Sequence, residues 1–159
     1  MSDVTIDIRS ALSNDQLTTL RGRYDSRQMT AFLSRGIPGL HKNTSDYIQA
    51  IRTAFYDKSR MQPRDREICL IGILAARGAG LNLALHIYIG LMEGLSPDDV
   101  ADVIFLAGIY MGVDVMSDGL DTTLRTLTVL AQVATSPRDC TVLQVAAALR
   151  AVFKPPPSA

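Results

Sequence analysis

The sequence has little cysteine, no excess of either charge and almost no strand pattern, and each absence excludes a class of protein. Its two cysteines, Cys69 and Cys140, lie far apart and form no CxxC or Cys/His metal spacing. We therefore expect no disulfide framework and no metal site, and a reducing cytoplasm fits this cysteine usage. The 16 basic residues balance the 16 acidic ones. Without a positive excess to hold a phosphate backbone, nucleic-acid binding is not expected as the main role.

Membrane association is not expected either. The opening residues MSDVTIDIRS lack the charged-then-apolar pattern of a secretion signal, so a cytoplasmic location is expected. The apolar stretch 68–92 is long enough to span a bilayer. It contains Arg77, Asn82 and His86, however, and polar groups at mid-span are costly in lipid. We interpret the stretch as two buried helices joined by a glycine break.

What the sequence does contain is a recurring helix start. Three stretches place a capping-type residue before a proline and acidic side chains after it: 62–67, 96–101 and 136–141. Proline is tolerated at the first helical position, and acidic groups favour the positive end of the helix dipole. The pattern predicts helices that begin near Pro63, Pro97 and Pro137. Similar caps at 13–16 and 43–47 predict two more.

Glycines supply the matching stop signals. Gly78 and Gly80 predict the end of the helix from Pro63, and Gly94 the end of the next helix. The residues GVD at 112–114 interrupt the run after that, and 117–134 continues as helix. The strand signal is limited to Val4, Ile6 and Ile8, which alternate in VTIDI. We predict an all-α fold of six or seven helices.

The domain organisation follows from this pattern. We expect a single helical domain over 1–153, with an N-terminal arm over 1–12 and a disordered tail over 154–159. Within it, the helix over 99–116 has few residues suited to water. Such wide apolar faces indicate that subunits cover one another, so we expect a homo-oligomer; the alternative is a central helix in a monomer.

One histidine within the apolar run is the centre of the candidate chemistry. His86 follows Asn82 by four residues, so both project from the same helix face, and Glu67 lies nineteen residues earlier. A carboxylate beside a histidine holds one tautomer and stabilises the cation, which makes a proton relay. From the residues alone a structural interpretation is favoured: a core histidine satisfied by a carbonyl, and a glutamate that complements the helix dipole.

Residues from about 38 to 125 resemble the carboxymuconolactone decarboxylase and alkyl hydroperoxidase D superfamily. The resemblance rests on MQPRDRE at 61–67, on His86, and on GLMEGLSPDDVADVIFLAGIYMG at 90–112. In that superfamily a histidine precedes a small-residue turn, an acidic capped helix and a Y-x-G ending. Five residues fall on this pattern: Gly90, Gly94, Ser96, Tyr110 and Gly112. The resemblance implies an all-helical obligate homo-oligomer, a trimer or hexamer, with its active site near a subunit boundary.

The resemblance also implies residue roles. In the peroxidase branch a glutamate, a CxxC pair and a histidine form a relay, and Glu67 and His86 fall on the glutamate and histidine positions. The two cysteine positions hold Ala79 and Asn82. Because that peroxidase needs a nucleophilic and a resolving thiol, thiol peroxidase activity is the least favoured of three functions. Cys69 is interpreted as a small core residue.

The decarboxylase branch works by proton transfer without cysteines or a cofactor, and Glu67 and His86 suit that chemistry. Leu106 stands where those enzymes often carry a second histidine, and 87–89 is apolar. We therefore predict a cofactor-independent lyase or isomerase acting on a small, rather hydrophobic organic molecule. The alternative is a non-catalytic oligomeric binding or scaffold relative that has lost the redox centre.

Each candidate site residue has a predicted role. His86 would act as the general acid/base and Glu67 would orient it and balance its charge. Asn82 would hydrogen-bond the substrate or a developing oxyanion. Arg77 would pair with an anionic substrate, although solvated surface is an equal alternative. Tyr110 would line the pocket, with core packing as its alternative.

Overall fold

The computed structural model describes residues 8–33, 42–136 and 141–154, and these ranges are helical with no strand. A 3-10 helix, Ile8–Ser10, precedes eight α-helices. These are α1 (Asn14–Arg23), α2 (Ser26–Leu33), α3 (Lys42–Lys58), α4 (Pro63–Ala76), α5 (Gly80–Met92), α6 (Pro97–Met111), α7 (Val113–Ala134) and α8 (Val142–Phe153). The predicted all-α fold is confirmed.

Three helices, α1, α4 and α6, start where the local signals placed them. Ser13 caps α1, and Pro63 and Pro97 occupy the first positions of α4 and α6. The start predicted near Pro137 is wrong for α8, which begins at Val142 because the Thr141 side chain caps it. Residues 137–140 lie outside the described ranges.

The predicted number of helices is too low by one or two. The additional helix is α2, which follows α1 after only two residues. Its start is set by Asp25, whose Oδ1 accepts the backbone N–H groups of Arg27 at 2.8 Å and Gln28 at 3.2 Å. An aspartate that caps a helix without a neighbouring proline is a weaker signal than the repeated pattern.

The N-terminal expectation meets the structure only in part. The alternating residues Val4 and Ile6 lie outside the described ranges, as do residues 155–159 of the expected tail. Ile8 belongs to the 3-10 helix, and Leu12 is buried in the core. At least the end of the expected arm therefore packs against the helices. The single-domain boundary at 153 stays a prediction.

The core is built around α5. Every residue from Leu83 to Leu91 is buried except His86. Side chains of α1, α4, α6, α7 and α8 join the same apolar cluster. Helix α5 is therefore surrounded by other helices on nearly all sides, as expected for a helix that is hydrophobic all round.

Two hydrogen bonds tie the N-terminal helix to the end of α5. The Arg21 guanidinium donates from Nε to the Leu91 carbonyl at 2.9 Å and from Nη2 to the Leu95 carbonyl at 3.0 Å. Both carbonyls lie at the α5–α6 turn, where helix-end acceptors need partners. Gly94 in this turn has a φ of +103°, which favours glycine.

The long apolar stretch of the sequence does not form one continuous helix. Its two parts, α4 and α5, are separated by a turn at Arg77 and Gly78, where the φ of Gly78 is +62°. Among the described helices, none combines the length and apolar character needed to cross a bilayer.

Candidate functional site

The α4–α5 hairpin brings Glu67 and His86 into contact. His86 Nδ1 lies 2.7 Å from Glu67 Oε2, which is hydrogen-bond distance. Pro63 starts α4 so that Glu67 falls in its second turn, and the turn at Gly78 sends α5 back along α4. The sequence left this contact open because spacing does not fix how two helices cross.

Gly90 allows the two helices to approach this closely. It lies one turn after His86, on the same face of α5. A Cβ at Gly90 would lie 2.7 Å from Leu95 Cδ1, 3.2 Å from Ile71 Cδ1 and 3.5 Å from Glu67 Cβ. A side chain there would push against α4 beside Glu67, so the glycine keeps the carboxylate and the imidazole at bonding distance.

The two members of the pair differ in their access to solvent. The Glu67 side chain is 2% exposed, whereas that of His86 is 12% exposed. With Glu67 ionised, Nδ1–H donates to the carboxylate, and the neutral imidazole keeps its lone pair on Nε2. His86 is therefore partly exposed within an otherwise buried stretch of helix, and the buried Glu67 carboxylate orients its ring.

Arg66 contributes a positive charge that the sequence interpretation missed. Its Nε lies 3.8 Å from Glu67 Oε1, and its side chain is largely buried. Glu67 thus lies between a permanent cation and an imidazole that can become one. A basic residue next to a candidate acid in sequence was the available signal, but adjacent helix positions normally point apart.

Two further acidic groups are electrostatically coupled to Glu67. Burial raises the pKa of the Glu93 carboxyl, and the charge of Glu67 raises it further. Burial also raises the pKa of the Tyr24 phenol far above its ordinary value, with Glu93 and Glu67 adding to the effect. The Tyr24 ring stands edge-on to that of Tyr88, with centroids 5.8 Å apart. Tyr24 precedes α2, so no local motif could have placed it here.

Of the other candidate residues, Asn82 lies near His86, whereas Arg77 lies far from the pair within one chain. Asn82 is exposed, one helical turn before His86 on the same face. Arg77 is exposed at the end of α4, ten residues beyond Glu67, which corresponds to about 15 Å along the axis. Its role in substrate binding stays a prediction.

Tyr110 is also distant from the pair within the chain. Arg64 Nη2 contacts Asp99 Oδ1 at 3.3 Å, so the first turns of α4 and α6 lie side by side. Tyr110 is eleven residues beyond Asp99, about 16 Å along α6, and its side chain is 81% exposed. Core packing, the alternative for this residue, is therefore wrong within the chain. Its role as a pocket residue stays a prediction.

The expectation that Cys69 is a core residue is wrong. It is a free cysteine with an exposed side chain on α4, because it falls on the outer face of the helix, two positions after the inward-facing Glu67. Cys140 lies outside the described ranges. Among the side chains described, no three of His, Cys, Asp and Glu are grouped as they would be to hold a metal ion.

A small cavity lies at the opposite end of the hairpin from the pair. Its volume is about 200 Å³. It lies between the α4–α5 turn and α7, and its lining includes Gly78, Gly80, Leu83, Asp118 and Asp121. Neither Glu67 nor His86 lines it, so the pair is reached from the molecular surface and not through this cavity.

Comparison with known proteins assigns the family. The family described as carboxymuconolactone decarboxylase matches residues 43–123, slightly more than half of the chain. The chain belongs to this family, as its resemblance predicted, and both Glu67 and His86 lie within the match. Membership is compatible with lyase and with peroxidase-like roles. No curated protein and no solved structure matches the chain significantly.

Proposed function

We propose that the protein is a cofactor-independent lyase or isomerase that acts by proton transfer on a small, rather hydrophobic organic molecule. The observation that carries this proposal is the 2.7 Å contact between His86 Nδ1 and Glu67 Oε2. A carboxylate on one ring nitrogen orients the imidazole and leaves the other nitrogen for substrate, which is the arrangement of a general acid/base.

The proton transfer would take place at Nε2 of His86. This nitrogen accepts a proton from a carbon or oxygen acid of the substrate and returns it at a second position or after bond cleavage. The imidazolium formed in between is stabilised by Glu67, which is nearly inaccessible to water and therefore weakly screened. Arg66 keeps Glu67 from carrying an uncompensated negative charge while the imidazole is neutral.

The exposed neighbour Asn82 is the proposed binding group. It lies one turn from His86 on the same face, so its amide can donate to an oxygen of a molecule bound at Nε2. Leu85 and Ile89, which flank His86 on α5, are buried, so His86 and Asn82 are the groups of this face that a substrate would meet. These two polar groups suit a substrate with one or two oxygen functions, and its largely apolar skeleton stays a prediction from the sequence.

The experiment measures proton transfer directly, without knowing the final product. Small lactones and ketones, with carboxymuconolactone included because of the family name, are incubated with the protein in D₂O. Proton NMR then follows deuterium incorporation beside the carbonyl, ring opening and loss of carbon dioxide. We expect His86→Ala to lower the rate on any accepted compound by about 10²–10⁴-fold. The matched control is His41→Ala, which alters the other histidine and should leave the rate unchanged.

Glu67→Gln separates orientation from charge. The glutamine carbonyl still accepts the Nδ1–H bond but no longer stabilises the imidazolium, so we expect a smaller loss in kcat than with His86→Ala and a changed pH profile. Turnover that survives in the folded His86→Ala protein would refute the assignment.

A non-catalytic scaffold is the alternative, favoured by the absence of Glu67 and His86 from the lining of the cavity beside the hairpin turn. In a scaffold the hydrogen bond between Glu67 and His86 would have only a structural role. His86→Ala would then lower stability or change assembly, and no member of the compound set would exchange deuterium faster than in buffer.

A further inference from the structure

Helix α5 reaches solvent along one side, and three polar residues lie there. From Asn82 to Glu93, the residues that are not buried are Asn82, His86, Met92 and Glu93. Asn82, His86 and Glu93 are separated by four and then seven residues, so these three lie in a row on one side of the helix. We call them the α5 polar row. A molecule that binds along α5 at His86 therefore meets an amide on one side of the imidazole and a carboxylate on the other.

The structure of the helix does not account for the carboxylate of this row. Glu93 is the C-cap residue of α5, and its side chain is half-buried. A helix C-terminus carries a partial negative charge, so basic side chains are favoured there and acidic ones are not. An acid at this position costs stability, which indicates a role outside the helix.

Glu93 lies near the second carboxylate of the site, that of Glu67. Gly90 precedes Glu93 by three residues, and a Cβ at Gly90 would lie 3.5 Å from Glu67 Cβ. Burial raises the pKa of the Glu93 carboxyl, and the charge of Glu67 raises it further, as expected for two acids that repel each other. His86 thus has two negative groups beside it: Glu67, 2.7 Å from its Nδ1, and Glu93, two turns along α5.

The chain around the site supplies no cation to offset these charges. No lysine or arginine occurs from Gly78 to Leu124, whereas seven acidic residues do. This range contains all of α5 and α6 and the first half of α7. A positive partner for a bound anion would therefore have to come from another part of the chain.

Three arginines of α1 and α4 contact this end of the hairpin, and each is directed at a protein group. Arg21 donates to two backbone carbonyls of the α5–α6 turn. Arg64 contacts Asp99 at 3.3 Å, and Arg66 Nε lies 3.8 Å from Glu67 Oε1. Each of these contacts would have to be given up or shared before the arginine could pair with the carboxylate of a substrate.

We propose that Glu93 is a specificity-determining residue: together with Glu67 it keeps the surface at His86 negative, so that the site accepts uncharged carbonyl compounds and disfavours carboxylates. Both acids repel an approaching anion, whereas a ketone, ester or lactone brings only a dipole and still accepts a hydrogen bond from Asn82. This selection rests on the proposed function, because it concerns the substrate of the same site. It narrows the substrate class to small carbonyl compounds without a carboxylate.

The charge at His86 can be measured without any turnover. Two nitroxides of nearly equal shape serve as probes, the uncharged 3-carbamoyl-PROXYL and the anionic 3-carboxy-PROXYL. Each is added at pH 8 to protein with isotope-labelled histidine, and NMR measures how much it speeds the relaxation of the His86 ring protons. The His86 signal is the one that His41→Ala retains. We expect the anionic probe to act at least about twofold more weakly than the uncharged one, and the difference to shrink at high salt.

Two variants that each remove one charge assign the effect to Glu93. Glu93→Gln should bring the two probes closer to equal, with the His86 signal in place because the bond to Glu67 remains. The matched control is Asp118→Asn, which removes a charge beside the cavity at the other end of the hairpin and should keep the wild-type ratio. A wild-type protein on which both probes act equally overturns the proposal, as does a Glu93→Gln protein with the wild-type ratio.

Turnover then separates this selection from the proposed chemistry. Methyl 4-oxocyclohexanecarboxylate and the corresponding free carboxylate share one skeleton, and both have exchangeable protons beside the ketone. In D₂O we expect the exchange that depends on His86 to have a kcat/KM at least about threefold higher on the ester, and Glu93→Gln to narrow the gap. Equal rates on the two compounds would refute the charge selection and leave the acid–base chemistry standing. A weakened anionic nitroxide effect without exchange on either compound would support the charge selection and contradict the proposed chemistry.

Discussion

Helices α5 and α6 have similar lengths and similarly apolar compositions, but the rest of the chain buries much more of α5 than of α6. In α5, every residue from Leu83 to Leu91 except His86 is covered by the same chain. In α6, only Val100, Ile104 and Gly108 are buried, and a row of large apolar groups faces outward. The apolar composition of a helix therefore does not say how much of that helix its own chain buries.

The same comparison explains where the candidate chemistry lies. His86 belongs to α5, the most completely enclosed helix, and the Glu67 carboxylate of α4 packs against it. Burial of such groups is costly unless they are paired, and here each satisfies the other at 2.7 Å. The enclosed helix thus provides a weakly screened environment, whereas α6 has large apolar side chains that are exposed among the described residues.

The largest expected difference in stability is between truncating a leucine of α5 and truncating a leucine of α6. Leu91→Ala should lower the free energy of unfolding by about 3 kcal/mol, because it leaves a cavity at a fully buried position. Leu106→Ala, at a position 57% exposed, should change it by less than about 0.5 kcal/mol. Both are measured by urea denaturation. Equal losses would show that Leu106 is covered as fully as Leu91.

A smaller effect is expected where α5 meets α4. Gly90→Ala should destabilise the protein by about 2 kcal/mol, because the new methyl group would overlap Leu95 and press on Ile71. Gly22→Ala is the matched control, since its Cβ would meet nothing within 4 Å. Alanine in that helix should raise stability by up to about 1 kcal/mol. Thermal unfolding of both variants measures the two changes in stability. A Gly90→Ala protein as stable as wild type would contradict close packing between α5 and α4 at Gly90.

A third effect is expected at the start of α6, which is stabilised by a local capping box. Ser96 Oγ accepts the Asp99 backbone N–H at 3.1 Å, and the Ser96 N–H donates to Asp99 Oδ2 at 2.8 Å. Ser96→Ala should cost about 1 kcal/mol in urea denaturation. An unchanged free energy of unfolding in Ser96→Ala would contradict the capping role of this side chain.

The same cap predicts a pH dependence. The backbone and side chain of Ser96 donate to Asp99 and hold the pKa of that carboxyl below its ordinary value. The resulting stabilisation is complete above the unfolded-state pKa of about 3.9 and is lost as pH falls through the lower folded-state pKa. Asp99→Asn should therefore be less stable than wild type at pH 5–7, and the gap should close in acid. A gap independent of pH would exclude this origin.

The smallest effect is expected at Glu93. Burial and the charge of Glu67 raise the pKa of this carboxyl, so the folded state favours its protonated form. That preference contributes stability below the unfolded pKa and is lost as pH rises through the folded pKa. Glu93→Gln should therefore be more stable than wild type at pH 7, by less than about 0.5 kcal/mol. The difference should disappear near pH 3.5, below the ordinary glutamate pKa of about 4.3.

Sequence reasoning performed best where the determinants were local. The starts of α1, α4 and α6 followed from Ser13, Pro63 and Pro97, since capping involves atoms within four residues. It performed worse at α2, whose cap Asp25 lacks the proline that marks other starts. It was wrong about Cys69, because the inward face of α4 was not known until α5 and α6 were packed against it.

Two residues of the candidate site, Glu67 and His86, could be predicted from the sequence. Residue spacing and family resemblance selected Glu67 and His86, and the structure places them in contact. Arg66, Glu93 and Tyr24 were not found, because their proximity depends on how α4, α5 and the segment after α1 meet. Asn82 remains beside His86, whereas Arg77 and Tyr110 lie at the far ends of their helices within one chain.

The sequence by itself determined most of the described helices, the starts of α1, α4 and α6, the family and the two residues of the central pair. These depend on hydrogen bonds and spacings within a few residues of chain, which the order of side chains already encodes. The tertiary structure alone decided that the pair touches, that His86 is the one residue of 83–91 that is not buried, and that large apolar side chains of α6 are exposed among the described residues. Those outcomes depend on helix crossing, which is set by contacts such as Gly90 against Leu95 between groups distant along the backbone.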